Sequence, residues 1–212
     1  MKMYGFFRSG TSHRLRIALN LKGLSYEQVS VSLAKNQHHE DVFKALNPQG
    51  FVPVLETEQG VLTQSPAILE WLEEVYPETA LLPEGAFEKA RVRALAALVG
   101  CDIHPINNKR VLEYLRKNLQ QDETHVLAWC AEWISKGFAA LETILAKDTT
   151  RENFCYGNTA TLADVYLIPQ VYSAKRFNVD LSAYPTIVSI YEHCMQLPAF
   201  QQADPAQQSD AI

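Results

Sequence analysis

Cysteine is sparse in this chain: Cys101, Cys130, Cys155 and Cys194 are the only four among 212 residues, widely scattered and without a C-x-x-C pair. That argues against a disulfide-built scaffold and points to free thiols in a reducing cytoplasm. An excess of positive charge is also missing, with 19 lysines and arginines against 24 aspartates and glutamates, a net charge of −5. A nucleic-acid partner, which wants a basic face, is therefore not expected. An anionic substrate would have to be held by local cations, which makes each inward-looking arginine worth noting. No apolar run approaches the roughly 18 residues of a membrane helix, so no membrane partner is expected. Met1–Phe7 is too short for a secretory leader and is interrupted by Arg8. G-x-S-x-G, H-E-x-x-H and P-loop patterns are all absent. His38-His39 lacks a third ligand at a recognisable spacing, so no metal is expected.

What is present is ample apolar material, 47% hydrophobic with 10% aromatic, enough for one large domain or two small ones. Met3–Phe7 reads as a short buried strand. It runs through a tight turn into a helix in which Leu15, Ala18 and Leu19 fall at i, i+3 and i+4, with Gly23 as a stop. Tyr26–Val31 supplies a second strand and His38–Leu46 a short helix that ends at Asn47-Pro48-Gln49-Gly50. Val52–Leu55 and Val61–Thr63 form a hairpin around Glu58-Gln59-Gly60. Ser65-Pro66 opens the next helix, with Ser65 as its cap, and Pro77 closes it. The order is βαβαββα over residues 1–80.

Beyond a linker at Leu81–Gly85 the period is helical only: 87–117 with a break at His104-Pro105, then 124–145, 161–176 and 184–195. A small α/β domain (1–80) followed by an all-α domain (87–212) is the simplest architecture. The polar end, 201–212, is expected to be disordered or loosely draped.

Four groups of residues carry candidate chemistry. Ser9, Thr11 and Ser12 sit at a helix N-terminus, where unpaired N–H groups and the helix dipole favour an anion, and Arg8 precedes them. Val52-Pro53 lies just before a strand, where proline is normally excluded; a cis bond there would present Val52 as an edge for an extended peptide. Gln64-Ser65 stands at a second strand-to-helix junction suited to a carboxylate. His104 and Asn108, at i and i+4 on one helical face, flank a proline, with Arg110 beside them; Arg176 ends a later helix. Thr161-Leu-Ala-Asp164 fits a structural capping box.

Taken together, the βαβαββα start, Val52-Pro53, Gln64-Ser65 and Gly157-x-x-x-Thr161-Leu-Ala-Asp164 resemble the glutathione transferases across essentially the whole chain. Arg14-x-Arg16-Ile-Ala-Leu19, Ala45-Leu-Asn-Pro48, Pro169-Gln-Val171 and Asp180-Leu-x-x-Tyr184-Pro-Thr-Ile187 resemble the zeta class within them. The resemblance implies a thioredoxin-like N-terminal domain, an all-α C-terminal domain, glutathione as cofactor and a homodimer. It implicates Val52 and Pro53 for the tripeptide backbone, Gln64 and Ser65 for its γ-glutamyl end, and His38 and Gln49 near the glycyl end. Most zeta members have Ser-Ser-Cys where this chain has Ser9-Gly10-Thr11. The runs Arg8–His13 and Asp102–Asn108 are most similar to bacterial isomerases of maleylpyruvate, and many bacterial maleylacetoacetate isomerases carry a similar His-Pro-x-Asn-Asn helix, so the second run does not separate the two. That implies cis–trans isomerisation of a maleyl diacid by thiolate addition, bond rotation and elimination. In that scheme Ser9 and Thr11 support the thiolate, Arg8, Arg110 and Arg176 clamp carboxylates, and His104 and Asn108 line the site. Maleylacetoacetate isomerisation and a non-catalytic binding protein on the same fold are the alternatives.

Overall fold

The computed structural model describes residues 1–211, which divide into two compact units. The first begins with β1 (Lys2–Gly5), α1 (Gly10–Leu21), β2 (Glu27–Ser30) and α2 (Asp41–Leu46), and continues with β3 (Val54–Thr57), β4 (Gly60–Thr63) and α3 (Ser65–Val75). This is the expected βαβαββα order. The strands lie as β2-β1-β3-β4. β1 and β2 are parallel, Lys2 opposite Glu27 through Gly5 opposite Ser30, as a helical crossover requires. β3 runs antiparallel to β1 and forms the hairpin with β4.

α1 is more than amphipathic. Every residue from Ser12 to Leu19 is buried, including His13, Arg14 and Arg16. Arg16 compensates its burial by donating from Nη2 to the Phe7 carbonyl and from Nε to the Ala203 carbonyl, each at 2.9 Å, since a buried cation must be hydrogen-bonded. The end of α1 is tied down by Lys22, whose Nζ lies 2.7 Å from Glu73 and donates to the Tyr76 and Thr79 carbonyls at 2.8 Å. Glu73 in turn accepts the Leu81 N–H.

The second unit, Leu82–Met195, is helical: α4 (Ala86–Ala97), α5 (Lys109–Lys117), α6 (Glu123–Lys147), α7 (Leu162–Arg176) and α8 (Pro185–Cys194). Its core is built from Val92, Val99, Ile103, Val126, Ile134, Phe138, Leu141, Ile168 and Ile187. The capping box at Thr161 is present. Asp164 accepts from the Thr161 N–H and hydroxyl and from the Cys155 N–H at 2.8–2.9 Å. Burial pushes its carboxyl above the usual carboxylate range, against the pull of those donors.

Two expectations fail at the far end of the chain. Of the end expected to be loosely draped, the described residues 201–211 are not, and Ile212 lies outside the described residues. α9 (Pro198–Ala203) packs on α1, with Phe200 and Ala203 fully buried, and Asn20 Nδ2 donates to Ala199. For the same reason the segment from Gln196 onward clusters with the first unit, whereas 87–212 was expected to form one helical domain. A polar composition hid the few apolar residues that do the docking.

Candidate active site

The turn after β1 is held by its own backbone and by α1. The Ser9 N–H donates to the Phe6 carbonyl at 3.0 Å, and Ser9 Oγ caps α1 by accepting the Ser12 N–H at 3.3 Å. Thr11 Oγ1 donates to the Val52 carbonyl at 2.8 Å and lies 3.0 Å from Ser9 Oγ. A hydroxyl has one proton to give, so Ser9 is the donor in the second contact. The result is a directed chain from Ser9 through Thr11 to Val52, at the positive end of a twelve-residue helix. Arg8 is exposed, with its guanidinium 5.5 Å from the Phe7 ring centre.

The Val52–Pro53 bond is cis, and Val52 lies outside the β3 ladder, which begins at Val54. The preceding loop is shaped by the buried Asn47, whose Nδ2 donates to the Phe51 carbonyl and whose Oδ1 accepts the Gln49 N–H. Gly50, at φ +67°, backs onto His38. A Cβ at Gly50 would stand 2.8 Å from the His38 carbonyl oxygen, so this position admits glycine only. His38 is buried and its ring centre lies 3.9 Å from that of His39, the two planes tilted by 39°. Exposed Gln49 accepts from Gln64 Nε2.

At the second strand-to-helix junction the cap is displaced by one residue. Gln64, at φ +68°, occupies the cap position of α3, and Ser65 is the first helical residue. Ser65 therefore does not cap. Its Oγ is buried and makes no hydrogen bond among the described residues. A buried hydroxyl left unpaired costs about 1–3 kcal/mol, and the non-glycine left-handed residue beside it is the kind of strain that collects at ligand sites.

In the second unit His104 and Asn108 do not share a helical face. Leu98–Ile103 is a π-helical stretch and Pro105–Asn107 a 3-10 turn, and Asn108 is the extended N-cap of α5, accepting the Arg110 N–H at 3.3 Å. The i, i+4 relationship fails because the chain tightens to a 3-10 turn after His104, the Asn107 N–H donating to the His104 carbonyl and the Asn108 N–H to the Pro105 carbonyl, and Asn108 itself is extended. The break is fixed in place: Trp129 Nε1 donates to the Ile106 carbonyl and Asn107 Nδ2 to the Ile103 carbonyl, each at 3.1 Å. Arg110 is exposed, and Arg176 ends α7 with its guanidinium 4.1 Å from the Phe177 ring centre.

None of the three buried cysteines offers a thiolate. Burial pushes Cys130 up to about 11 against the pull of Arg176 and Arg116, and burial raises the Cys155 and Cys194 thiols too, with the Asp164 carboxylate adding to both. Cys101 is exposed.

Comparison with known proteins decides the family. The profile of the glutathione S-transferase N-terminal domain matches residues 1–74. Maleylpyruvate isomerase of a Ralstonia species is 60% identical over 211 residues, covering 100% of both chains. A solved holo structure of maleylpyruvate isomerase, described as a bacterial zeta-class glutathione S-transferase, is 60% identical and covers 100% of both chains with a TM-score of 0.99. This chain belongs to the zeta-class glutathione S-transferases. A further member, the maleylacetoacetate isomerase of Methylobacterium extorquens AM1 solved with malonate and glutathione, is 40% identical, with 100% of both chains covered and a TM-score of 0.96.

The zeta-class framework can be tested against glutathione on this chain's own atoms, and they fit. Ser65 has an unused buried hydroxyl at the N-terminus of α3, where an anion is favoured. Val52 stands free of the β3 ladder beside the cis-proline. Three residues that support this face were not site candidates in the sequence: Asn47, Gly50 and Asp210. Asn47 and Gly50 entered the sequence reading only in a helix stop and a family motif, with no role in shaping the site, and the contact made by Asp210 spans 203 positions, which no local pattern reveals.

Proposed function

We propose that this chain is a glutathione-dependent cis–trans isomerase of a maleyl diacid, with maleylpyruvate as its substrate. The observation that carries the reading is the 60% identity, over the full length of both chains, to maleylpyruvate isomerase. Maleylacetoacetate is the second candidate substrate, and the malonate bound with glutathione in the 40% identical relative supports a dicarboxylate in either case. A purely non-catalytic binding role is not favoured.

When bound, glutathione supplies a thiolate that adds to the conjugated double bond, leaves it free to rotate as a single bond, and departs unchanged. The protein's part is to make that thiolate available at neutral pH and to hold the diacid. Val52 and Pro53 would take the tripeptide backbone, and Gln64 and Ser65 its γ-glutamyl carboxylate. His38 and Gln49 would lie toward the glycyl end. Ser9 is the better thiolate donor of the two hydroxyls. Its proton is held only by Thr11 Oγ1 at 3.0 Å, whereas that of Thr11 is committed to Val52 at 2.8 Å. The N-terminus of α1 favours the same charge. Arg8, Arg110 and Arg176 are assigned to the substrate carboxylates, for which a planar guanidinium is suited to bidentate contact, with His104 and Asn108 completing the reading. We place the enzyme in the cytoplasm as a homodimer.

The test is substrate preference at saturating glutathione. Ultraviolet assays should give a higher kcat/KM for maleylpyruvate than for maleylacetoacetate; the reverse order would promote the second substrate.

A further inference from the structure

We propose that Asp210 is a positioning residue for the thiolate site, acting through the main chain of Phe7. The inference rests on the reading of Ser9 as the thiolate's donor, and it concerns the two residues that deliver the chain to Ser9. All four polar main-chain atoms of Phe6 and Phe7 are engaged. The Phe6 N–H donates to Ser12 Oγ at 3.3 Å and the Phe6 carbonyl accepts the Ser9 N–H at 3.0 Å. The Phe7 N–H donates to Asp210 Oδ2 at 3.0 Å, and the Phe7 carbonyl accepts from Arg16 Nη2 at 2.9 Å. The first two bonds are local. The grip on Phe7 is not: one partner is Asp210 itself, and the other, Arg16, is also bonded to Ala203 at the end of α9.

Asp210 is held as firmly as it holds. Its carboxylate also accepts from Ser30 Oγ at 2.9 Å and from Gln28 Nε2 at 3.4 Å, both on β2. It thereby bridges the strand beside β1 to the turn that follows β1. Gln208 folds the approach to this contact, donating from Nε2 to the Gln202 and Asp204 carbonyls at 2.8 Å and accepting the Ala211 N–H at 3.0 Å. Ala211 then packs against the cluster of Phe6, Phe7, Val31, Phe43, Val52 and Val54. That cluster holds both the residue before Arg8 and the residue before Pro53. A carboxylate acceptor on a backbone N–H is among the stronger hydrogen bonds available to a protein, and here it is applied one residue before the cationic and hydroxyl groups of the turn. Displacements of an ångström in a positioned group, even from changes far from the chemistry, lower rates by as much as about 100-fold.

The experiment compares Asp210→Ala, Asp210→Asn and Ser30→Ala with the unaltered enzyme. It measures kcat, KM for glutathione, and the ultraviolet thiolate absorbance of bound glutathione at neutral pH. Ser30→Ala removes a bond to the same carboxylate without touching the turn, and all three measurements should stay within about twofold of the unaltered enzyme. Asp210→Ala should lower kcat about tenfold or more and reduce the thiolate absorbance, with KM for glutathione nearly unchanged because Gln64 and Ser65 are intact. Unaltered kcat and thiolate absorbance in Asp210→Ala would overturn the proposal, even alongside a lowered Tm, which a merely structural contact also predicts. Should Asp210→Ala fail to fold, Asp210→Asn decides on the same two measurements: its amide oxygen still accepts the Phe7 N–H but without charge assistance, so a smaller fall in both, beyond about twofold, is expected, and values within about twofold would overturn the proposal. A failure of the unaltered enzyme to isomerise maleyl diacids would count against the proposed function instead, and the thiolate absorbance would still decide the role of Asp210.

Discussion

Thr11 Oγ1 donates to the Val52 carbonyl at 2.8 Å, so in its 3.0 Å contact with Ser9 it can only accept. The two hydroxyls at the head of α1 are therefore not equivalent. Ser9→Ala should cost about 1.5–3 kcal/mol in kcat/KM, the scale of a hydrogen bond to a charged group. Thr11→Val removes the acceptor that competes for the Ser9 proton and loosens the Val52 loop. Its effect should fall on KM for glutathione, with kcat held within about threefold. Steady-state kinetics on the two variants checks this, and equal losses of kcat would refute the ordering.

Ser65 offers a cleaner separation of stability from binding. Its hydroxyl is buried and makes no hydrogen bond among the described residues, so Ser65→Ala forfeits no folded-state bond. Stability in denaturant unfolding should rise, by up to about 1–3 kcal/mol, because the unpaired buried hydroxyl is removed. Glutathione affinity, read by calorimetry, should fall by about 1–3 kcal/mol.

Arg176→Ala should lower kcat/KM for the maleyl diacid by about 1–3 kcal/mol while glutathione affinity is unchanged. Kinetics indistinguishable from the unaltered enzyme would remove Arg176 from the carboxylate clamp.

The buried His13 predicts an acid sensitivity. Burial, reinforced by Arg16, holds its imidazole well below the ordinary value of 6.5. Between that lowered value and about 6.5 the unfolded chain binds a proton that the folded chain does not, so stability rises with pH across this window. The stabilisation is complete above about 6.5 and is lost as the pH falls, by up to about 1.4 kcal/mol per pH unit. Chemical denaturation between pH 7.5 and about 5 should show the loss. His13→Gln should flatten that part of the curve.

Much of the architecture was legible in the residues because its signals are local. Gly23, Asn47-Pro48, Gln59-Gly60 and Ser65-Pro66 punctuate the βαβαββα order, and Thr161 with Asp164 announces its own cap. What escaped was set by distant contacts or by backbone geometry that side-chain spacing does not encode. His104 and Asn108 looked like neighbours on a helix, yet the 3-10 turn at Pro105–Asn107 breaks the register between them and leaves Asn108 extended. Ser65 looked like a cap until Gln64 took the left-handed cap position. The last residues looked loose because their composition is polar, although Phe200, Ala203 and Asp210 dock them onto α1 and the Phe7 turn.

The central claim is that glutathione acts here as a recycled cofactor on a maleyl diacid. It is tested most directly by following maleylpyruvate isomerisation and free thiol in the same reaction as glutathione is varied. Without glutathione no isomerisation above background is expected; with it the rate should saturate and the free-thiol concentration stay constant through many turnovers. Isomerisation without glutathione, or thiol lost in step with substrate, would contradict the claim.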